Sequence, residues 1–416
     1  MKKDILFFIE TEVQFYSLAP LLRHLHEKTK IAFDIIVPTD IDSENSNKEI
    51  YDEAARLIKN DGYKVTRDFD DERIKKTEYK ILISTYMYED LYNKIKAKYR
   101  LQFAYSGHLF TKVNYILDRY INYDYVFDAV LLHPAYTQPI VDIFSKSYVV
   151  PNLKLTGFSK RKTSISKKPI LLFAPTYNEM DFAVKFLKCI DEIKKDYYVI
   201  MHGHHRALHF GANKDYILQL YAKADKVYDI RNCSIKEPLE EADVLVSDNS
   251  SVLFDAIDVN IPVAIFSRNP NEFHYREINT IQYDLIQSGK ILWTNDPRKL
   301  PEIIDKTLRE DMVKKQGELK NKAFAGESVD PIEQWMEVVK IYLEDKLPYE
   351  YALTKKYWVE RIMGLSDGIS SQQVQIHNLE NQLVAANTEI ASFLSIKRSA
   401  KRTVGNIKRR IWEVKK

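Results

Sequence analysis

Two cysteines in 416 residues, Cys189 and Cys233, leave this chain without a disulfide framework or a four-cysteine zinc site. Such sparing use fits a reducing compartment, and the sequence reads as cytoplasmic. Glycine is scarce, at 11 residues. No Walker-type loop ending in Lys-Ser/Thr appears, no GxGxxG, no HExxH and no GxSxG. Their absence argues against an ATPase, a dinucleotide-dependent dehydrogenase, a zinc protease and an α/β-hydrolase. No apolar run approaches the ~18 uncharged residues of a membrane-spanning helix. The apolar start at residues 5–9 is cut by Glu10 and Glu12 and is too short for a secretory signal. Any membrane contact is therefore expected to be peripheral.

What is present reads as a folded chain long enough for two domains and an appendage, with ordinary apolar (45%) and charged (29%) content. DILFFIE (4–10) has the pattern of a buried strand. Leu18, Leu21, Leu22 and Leu25 follow at helical spacing, and FDIIVPT (33–39) returns to strand. This strand–helix–strand unit is the mark of a parallel sheet. It recurs through YKILISTY (79–86), AVLLH (129–133) and SYVVPN (147–152). The polar, basic stretch SKRKTSISKK (159–168) has the composition of an interdomain linker. The alternation then restarts with PILLFAPT (169–176), YYVIMHG (197–203), DVLVSD (243–248) and VAIF (263–266). Two doubly wound, Rossmann-like domains are expected, with boundaries at 1–155 and 156–345 and ligands outside the carboxyl ends of the strands.

The remainder differs. Ile369, Ile376, Leu383 and Ile390 recur every seven residues, with Gln372, Leu379, Ala386 and Phe393 at the complementary heptad position. A helical, coiled-coil segment over 346–396 is expected, its seam at 369–393 a candidate for homo-oligomerisation. Residues 397–416 carry nine Lys/Arg and one Glu, leaving −5 for the other 396 residues. Val404, Ile407, Ile411 and Val414 share one helical face of this tail, beside Trp412. A basic amphipathic helix of this kind fits an anionic membrane surface; a solvated tail or nonspecific nucleic-acid contact is the blander alternative. No nucleic-acid partner is expected.

Three strand ends in the second half run straight into polar residues: PTYNE (175–179), HGHHR (202–206) and SDNSS (247–251). In a parallel sheet all three open onto one edge. Ser250 and Ser251 at a helix start suit a phosphate, or they simply cap the helix. The three histidines and Arg206 of HGHHR can move a proton and stabilise a leaving phosphate, or they form a polar loop. A two-histidine metal site lacks a carboxylate partner at helical spacing, so no metal is expected. In the first half YSGHLF (105–110) sets His108 beside a glycine.

Taken as a set, these segments resemble the CDP-glycerol glycerophosphotransferase family of teichoic-acid and capsule polymerases. DVLVSDNSSVLFDAIDVNIPVAIF resembles its D-x-x-x-[ST]-D-Y-S-S-x-x-F-D signature, LTGFSK (155–160) its T-G-[YF]-P-[RK] stretch and LLFAPTYNE its L-x-A-P-T strand end. VIMHGHHRAL resembles its R-x-H-P loop, and FAGES (324–328) its late D-G segment. The resemblance implies a GT-B architecture with no cofactor and a CDP-polyol donor, whose glycerol or ribitol phosphate passes to a lipid-linked or polymer acceptor. By position it implies donor binding by Thr176, His202, Arg206, Asp248, Ser250, Ser251 and Asp255. It further implies stabilisation of departing CMP by His204 and, as nearest candidate, His108 as base on the acceptor hydroxyl. Asn249 stands where the family has Tyr, His202 where it has Arg and His205 where it has Pro, and YSGHLF is not W-H-G-T. A nucleotide-sugar glycosyltransferase or epimerase of the same fold is the alternative enzyme, and a non-catalytic scaffold the alternative of another class. For the leading reading the expected location is the cytoplasmic face of the cell membrane, bound peripherally.

Overall fold

The computed structural model describes residues 2–39, 48–86, 89–103, 127–132, 146–161, 165–176, 180–204, 207, 211–248, 250–267, 274–275, 278–279, 285–323 and 330–347. The chain divides into two compact units, Met1–Lys355 and Lys356–Lys416, and every described residue belongs to the first. His108, Arg206, the heptads at 369–393 and the basic tail at 397–416 lie outside the described residues.

The first half builds a six-stranded parallel sheet from β1 (Lys2–Phe8), β2 (Phe33–Ile36), β3 (Glu78–Ser84), β4 (Ala97–Phe103), β5 (Ala129–Leu132) and β6 (Lys146–Val149), in the order β2-β1-β3-β4-β5-β6. Helix α1 (Glu12–Lys28) starts where Thr11 accepts a hydrogen bond from the Gln14 amide, a side-chain cap on an otherwise orphaned N–H. Its buried stripe is Phe15, Leu18, Leu21, Leu22 and Leu25, the spacing that puts one face of a 3.6-residue helix on a sheet. Helices α2 (Lys48–Asn60), α3 (Glu72–Lys75) and α4 (Glu89–Lys94) complete the described crossovers.

The second half builds its own six-stranded parallel sheet. Its elements are β7 (Ile170–Phe173), α5 (Met180–Ile193), β8 (Tyr198–Met201), α6 (Gly211–Lys223), β9 (Lys226–Val227), α7 (Lys236–Glu241), β10 (Val244–Ser247), α8 (Val252–Asp258) and β11 (Val263–Phe266). A short hairpin, β12 (His274–Tyr275) and β13 (Ile278–Asn279), precedes β14 (Leu292–Thr294), α9 (Leu300–Thr307) and α10 (Glu310–Ala323). The sheet order is β14-β11-β10-β7-β8-β9, so β7 and β10 stand side by side where the winding direction reverses. Strands β7, β10 and β11 are buried at all four positions, which is why each reads as an apolar run rather than an alternation.

Helix α11 (Pro331–Leu343) ends the described chain. Asp330 caps it by accepting the Ile332 amide at 2.8 Å, with Pro331 in the first turn, where its missing N–H costs nothing. Although it follows the second sheet in sequence, its Trp335, Met336, Val339 and Tyr342 sit in the core of the first half. The Trp335 indole donates to the Pro151 carbonyl at 2.9 Å. Each such side chain taken out of water contributes about 1.5–3 kcal/mol, so α11 ties the end of the second half to the first.

Candidate functional site

The strand ends that lead into the three polar junctions stand side by side, as expected of a parallel sheet. The junctions follow the carboxyl ends of β7, β8 and β10, which are neighbours in the sheet and run parallel. The β7/β10 pair is also where the winding reverses, and in open α/β sheets that crevice is where ligands bind. At its floor Asp248 is 1% exposed, and its Oδ2 accepts both the Thr176 amide at 2.8 Å and the Thr176 hydroxyl at 3.1 Å. One strand end is thus pinned to the other by a charged acceptor, a stronger bond than a neutral one. Ser247 adds a second tie, donating to the Ala174 carbonyl at 2.6 Å.

The paired serines differ. Ser250 is buried, and its hydroxyl accepts the Val252 amide at 3.3 Å. Ser251 occupies the cap position of α8 and is half-buried, yet its side chain makes no capping bond. Simple capping by Ser251 is therefore not what the structure contains. Asp255 lies one turn further on, 1% exposed, with Oδ2 accepting the Lys154 ammonium at 2.6 Å and Oδ1 the Asn152 amide at 2.7 Å. Both of its oxygens face protein donors.

In the HGHHR loop His202 is buried while His204 is half-buried. Burial pulls the His202 pKa down to about 4, against a hydrogen bond to the Cys233 backbone and the nearby Asp229 charge; the Lys154 charge adds to the lowering. The ring is neutral at pH 7, and its Nε2 finds no hydrogen-bond partner among the described residues. Gly203 is fixed by a tight approach: a Cβ there would lie 2.7 Å from the Tyr221 hydroxyl oxygen and 3.2 Å from Ile217 Cγ2. The Tyr221 oxygen accepts the Gly203 amide at 3.3 Å. The Ala207 amide donates to the His204 carbonyl at 2.9 Å.

Thr176, His202, His204, Asp248, Ser250 and Ser251 thus gather on adjoining strand ends, with Asp255 one helical turn behind them. Sequence reasoning missed Lys154, Asn152, Asp229 and Tyr221. Lys154 carried a signal: a lysine between two leucines, Leu153 and Leu155, all three buried. Among the described residues no group of three His, Cys, Asp or Glu side chains is placed to hold a metal ion, and no helix is long and apolar enough to cross a membrane.

Comparisons with known proteins agree with this architecture. The wall teichoic acid polymerase TagF is similar at 12% identity with a TM-score of 0.53, covering 83% of this chain and 90% of that one. A putative UDP-N-acetylglucosamine 2-epimerase from Listeria monocytogenes is similar at 11% identity and a TM-score of 0.53, covering 83% and 97%. The S. aureus MnaA co-structure with UDP gives 12% identity and a TM-score of 0.54, covering 82% and 97%. At these identities the likeness establishes the fold, two parallel-sheet α/β halves in a GT-B-like arrangement. No curated protein matches the chain by sequence. The family described as CDP-Glycerol:Poly(glycerophosphate) glycerophosphotransferase matches residues 145–325, a span that contains all three polar junctions.

Proposed function

We propose that this chain transfers a polyol phosphate, glycerol phosphate foremost, from a CDP-polyol to a lipid-linked or polymer acceptor in the synthesis of teichoic acid or a related surface polymer. The supporting observation is that the family match at 145–325 includes the β7, β8 and β10 ends that share one sheet edge. An acceptor hydroxyl oxygen attacks the phosphorus that bears the polyol. The new P–O bond forms as the bond to the bridging diphosphate oxygen breaks, and CMP departs with that oxygen and its electron pair. The hydroxyl proton goes to a base of the first half, for which His108 is the candidate. His204 and Arg206 steady the charge building on CMP, and Thr176, His202, Asp248, Ser250, Ser251 and Asp255 form or support the donor site.

The finer parts of the proposal rest on sequence pattern. The basic stripe at 397–416 holds the enzyme on the anionic inner face of the cell membrane, where a lipid-linked acceptor is presented, and the heptads at 369–393 pair chains. The epimerase-like neighbours favour one competing reading, a UDP-sugar substrate. The discriminating experiment incubates the full chain with CDP-glycerol, CDP-ribitol and UDP-N-acetylglucosamine, with and without a lipid-linked polyol-phosphate acceptor. Release of CMP with a phosphodiester product is expected. Turnover of the UDP-sugar alone would overturn the reading.

A further inference from the structure

Asp255 occupies a position that the family resemblance gives to the donor, yet its surroundings belong to the protein. Its side chain is 2% exposed and that of Lys154 is 5% exposed, with 2.6 Å between the charged atoms. Asn152 completes the arrangement from the other carboxylate oxygen. These donors come from the far end of the first half: they flank Leu153, whose side chain is part of the first core. The turn Leu153–Leu155 also packs on α1. Asp255 instead belongs to α8, the helix that follows Ser250 and Ser251. Two side chains, each more than a hundred residues before Asp255, therefore clamp the donor-side helix of the second half to the first half.

Stability alone is a poor reason for such an arrangement. Burying two charges costs several kcal/mol of hydration per ion, and an apolar pair of similar volume often does as well. What an apolar pair lacks is direction: bonds of 2.6 and 2.7 Å to two different oxygens fix both the distance and the rotation of α8. Two other hydrogen bonds between the halves are looser, the Tyr16 hydroxyl on the Ile230 carbonyl at 3.3 Å and Arg56 on the Arg231 carbonyl at 3.1 Å, the one part-buried and the other exposed.

We infer that Asp255, Lys154 and Asn152 are positioning residues that hold the loop of Thr176, Asp248 and Ser251 at a fixed placement against the first half, so that a donor on the second sheet lines up with an acceptor on the first. The inference rests on the transferase reading for its consequence and on the hydrogen bonds for its geometry. A misplacement of about 1 Å costs on the order of 100-fold in a group transfer, because the reacting atoms leave the near-attack distance. Neither Asp255 nor Lys154 touches the donor in this arrangement, so binding is spared while transfer is not.

The test compares wild type, Asp255→Asn, Lys154→Arg and the double variant Lys154→Met/Asp255→Leu, which removes both charges together and retains an apolar contact. Thermal unfolding identifies variants that fold. In those, kcat for transfer from CDP-glycerol to the acceptor is expected to fall by about 10- to 100-fold. CDP-glycerol affinity by calorimetry should change by less than about threefold, and Lys154→Arg should lose least. Hydrogen exchange is expected to quicken in residues 152–156 and 252–258 together. A folded double variant with wild-type kcat overturns the inference, as does a loss confined to donor affinity, which would make Asp255 a ligand contact. Exchange that quickens on one side only overturns it too. A wild-type chain that releases no CMP defeats the transferase reading instead, and the exchange experiment then judges the clamp by itself.

Discussion

Acid should expose the cost of keeping His202 neutral. The ring is 6% exposed, just past the end of β8, and burial lowers its pKa from 6.5 to about 4. The unfolded chain therefore takes up this proton as pH falls through 6.5, while the folded chain declines it until about pH 4. Stability from this group is fully present above pH 6.5 and is lost on the way down. Between pH 7.5 and 5 the loss works out at about 2 kcal/mol, reaching about 3 kcal/mol below pH 4. Two carboxylates, the buried Asp34 and the half-buried Asp229, stay out of this window. Although burial pushes both up, bonds from Lys3 and Tyr79 hold Asp34 below the ordinary carboxylate range, and bonds from Arg231 do the same for Asp229. The assay is urea unfolding at the two pH values for wild type and His202→Gln, whose amide can still reach the Cys233 backbone but does not titrate. Wild type should lose about 2 kcal/mol more than the variant between pH 7.5 and 5. Equal losses in the two proteins would refute the argument that this histidine is neutral because it is buried.

Gly203→Ala should destabilise the second half by about 1–3 kcal/mol, since its Cβ meets the Tyr221 oxygen at 2.7 Å; adding Tyr221→Phe should recover part of that in chemical denaturation. Deleting residues 397–416 should abolish sedimentation with anionic liposomes while leaving the thermal transition of the body unchanged; retained binding would remove the membrane role. Transfer is expected to survive excess EDTA, with basic side chains and backbone N–H groups meeting the diphosphate charge, and complete loss would contradict it.

The parallel sheets were legible because buried strands declare themselves as apolar runs: ILLF, VLVS and VAIF each match a fully buried strand. So was the shared edge of the three strand ends, which follows once the strands are parallel. Strand β4 was not legible. Its AKYRLQF alternates Lys98, Arg100 and Gln102 with apolar residues, and only its last three positions are buried. Nor did sequence order reveal that α11 packs in the first core, because an amphipathic helix does not say which sheet it covers. In the site, the residue types were readable but their partners were not. Asp255 became a ligand candidate because it matches the aspartate of the family's F-D pattern, and the lysine that meets it lies 101 residues earlier. Such pairings are set by tertiary approach, which no local spacing encodes.

The histidine at position 202 also shapes how the second half can meet a diphosphate. The R-x-H-P pattern that HGHHR resembles has arginine there, and a guanidinium remains charged throughout the accessible pH range. An imidazole with a pKa of about 4 contributes no charge at pH 7. The buried Lys154 ammonium near it is balanced by Asp255. On the transferase reading proposed above, the loop beyond position 202 offers the donor Arg206 as a permanent cation and His204 as a titratable one. Arg206→Gln should accordingly raise the donor KM by about tenfold, equivalent to about 1.4 kcal/mol, and His202→Gln by less than about threefold. Steady-state kinetics with CDP-glycerol at pH 7.5 measures both. If His202→Gln proves the costlier change, the donor must draw a proton onto a buried ring, and the assignment of charge within this loop is reversed.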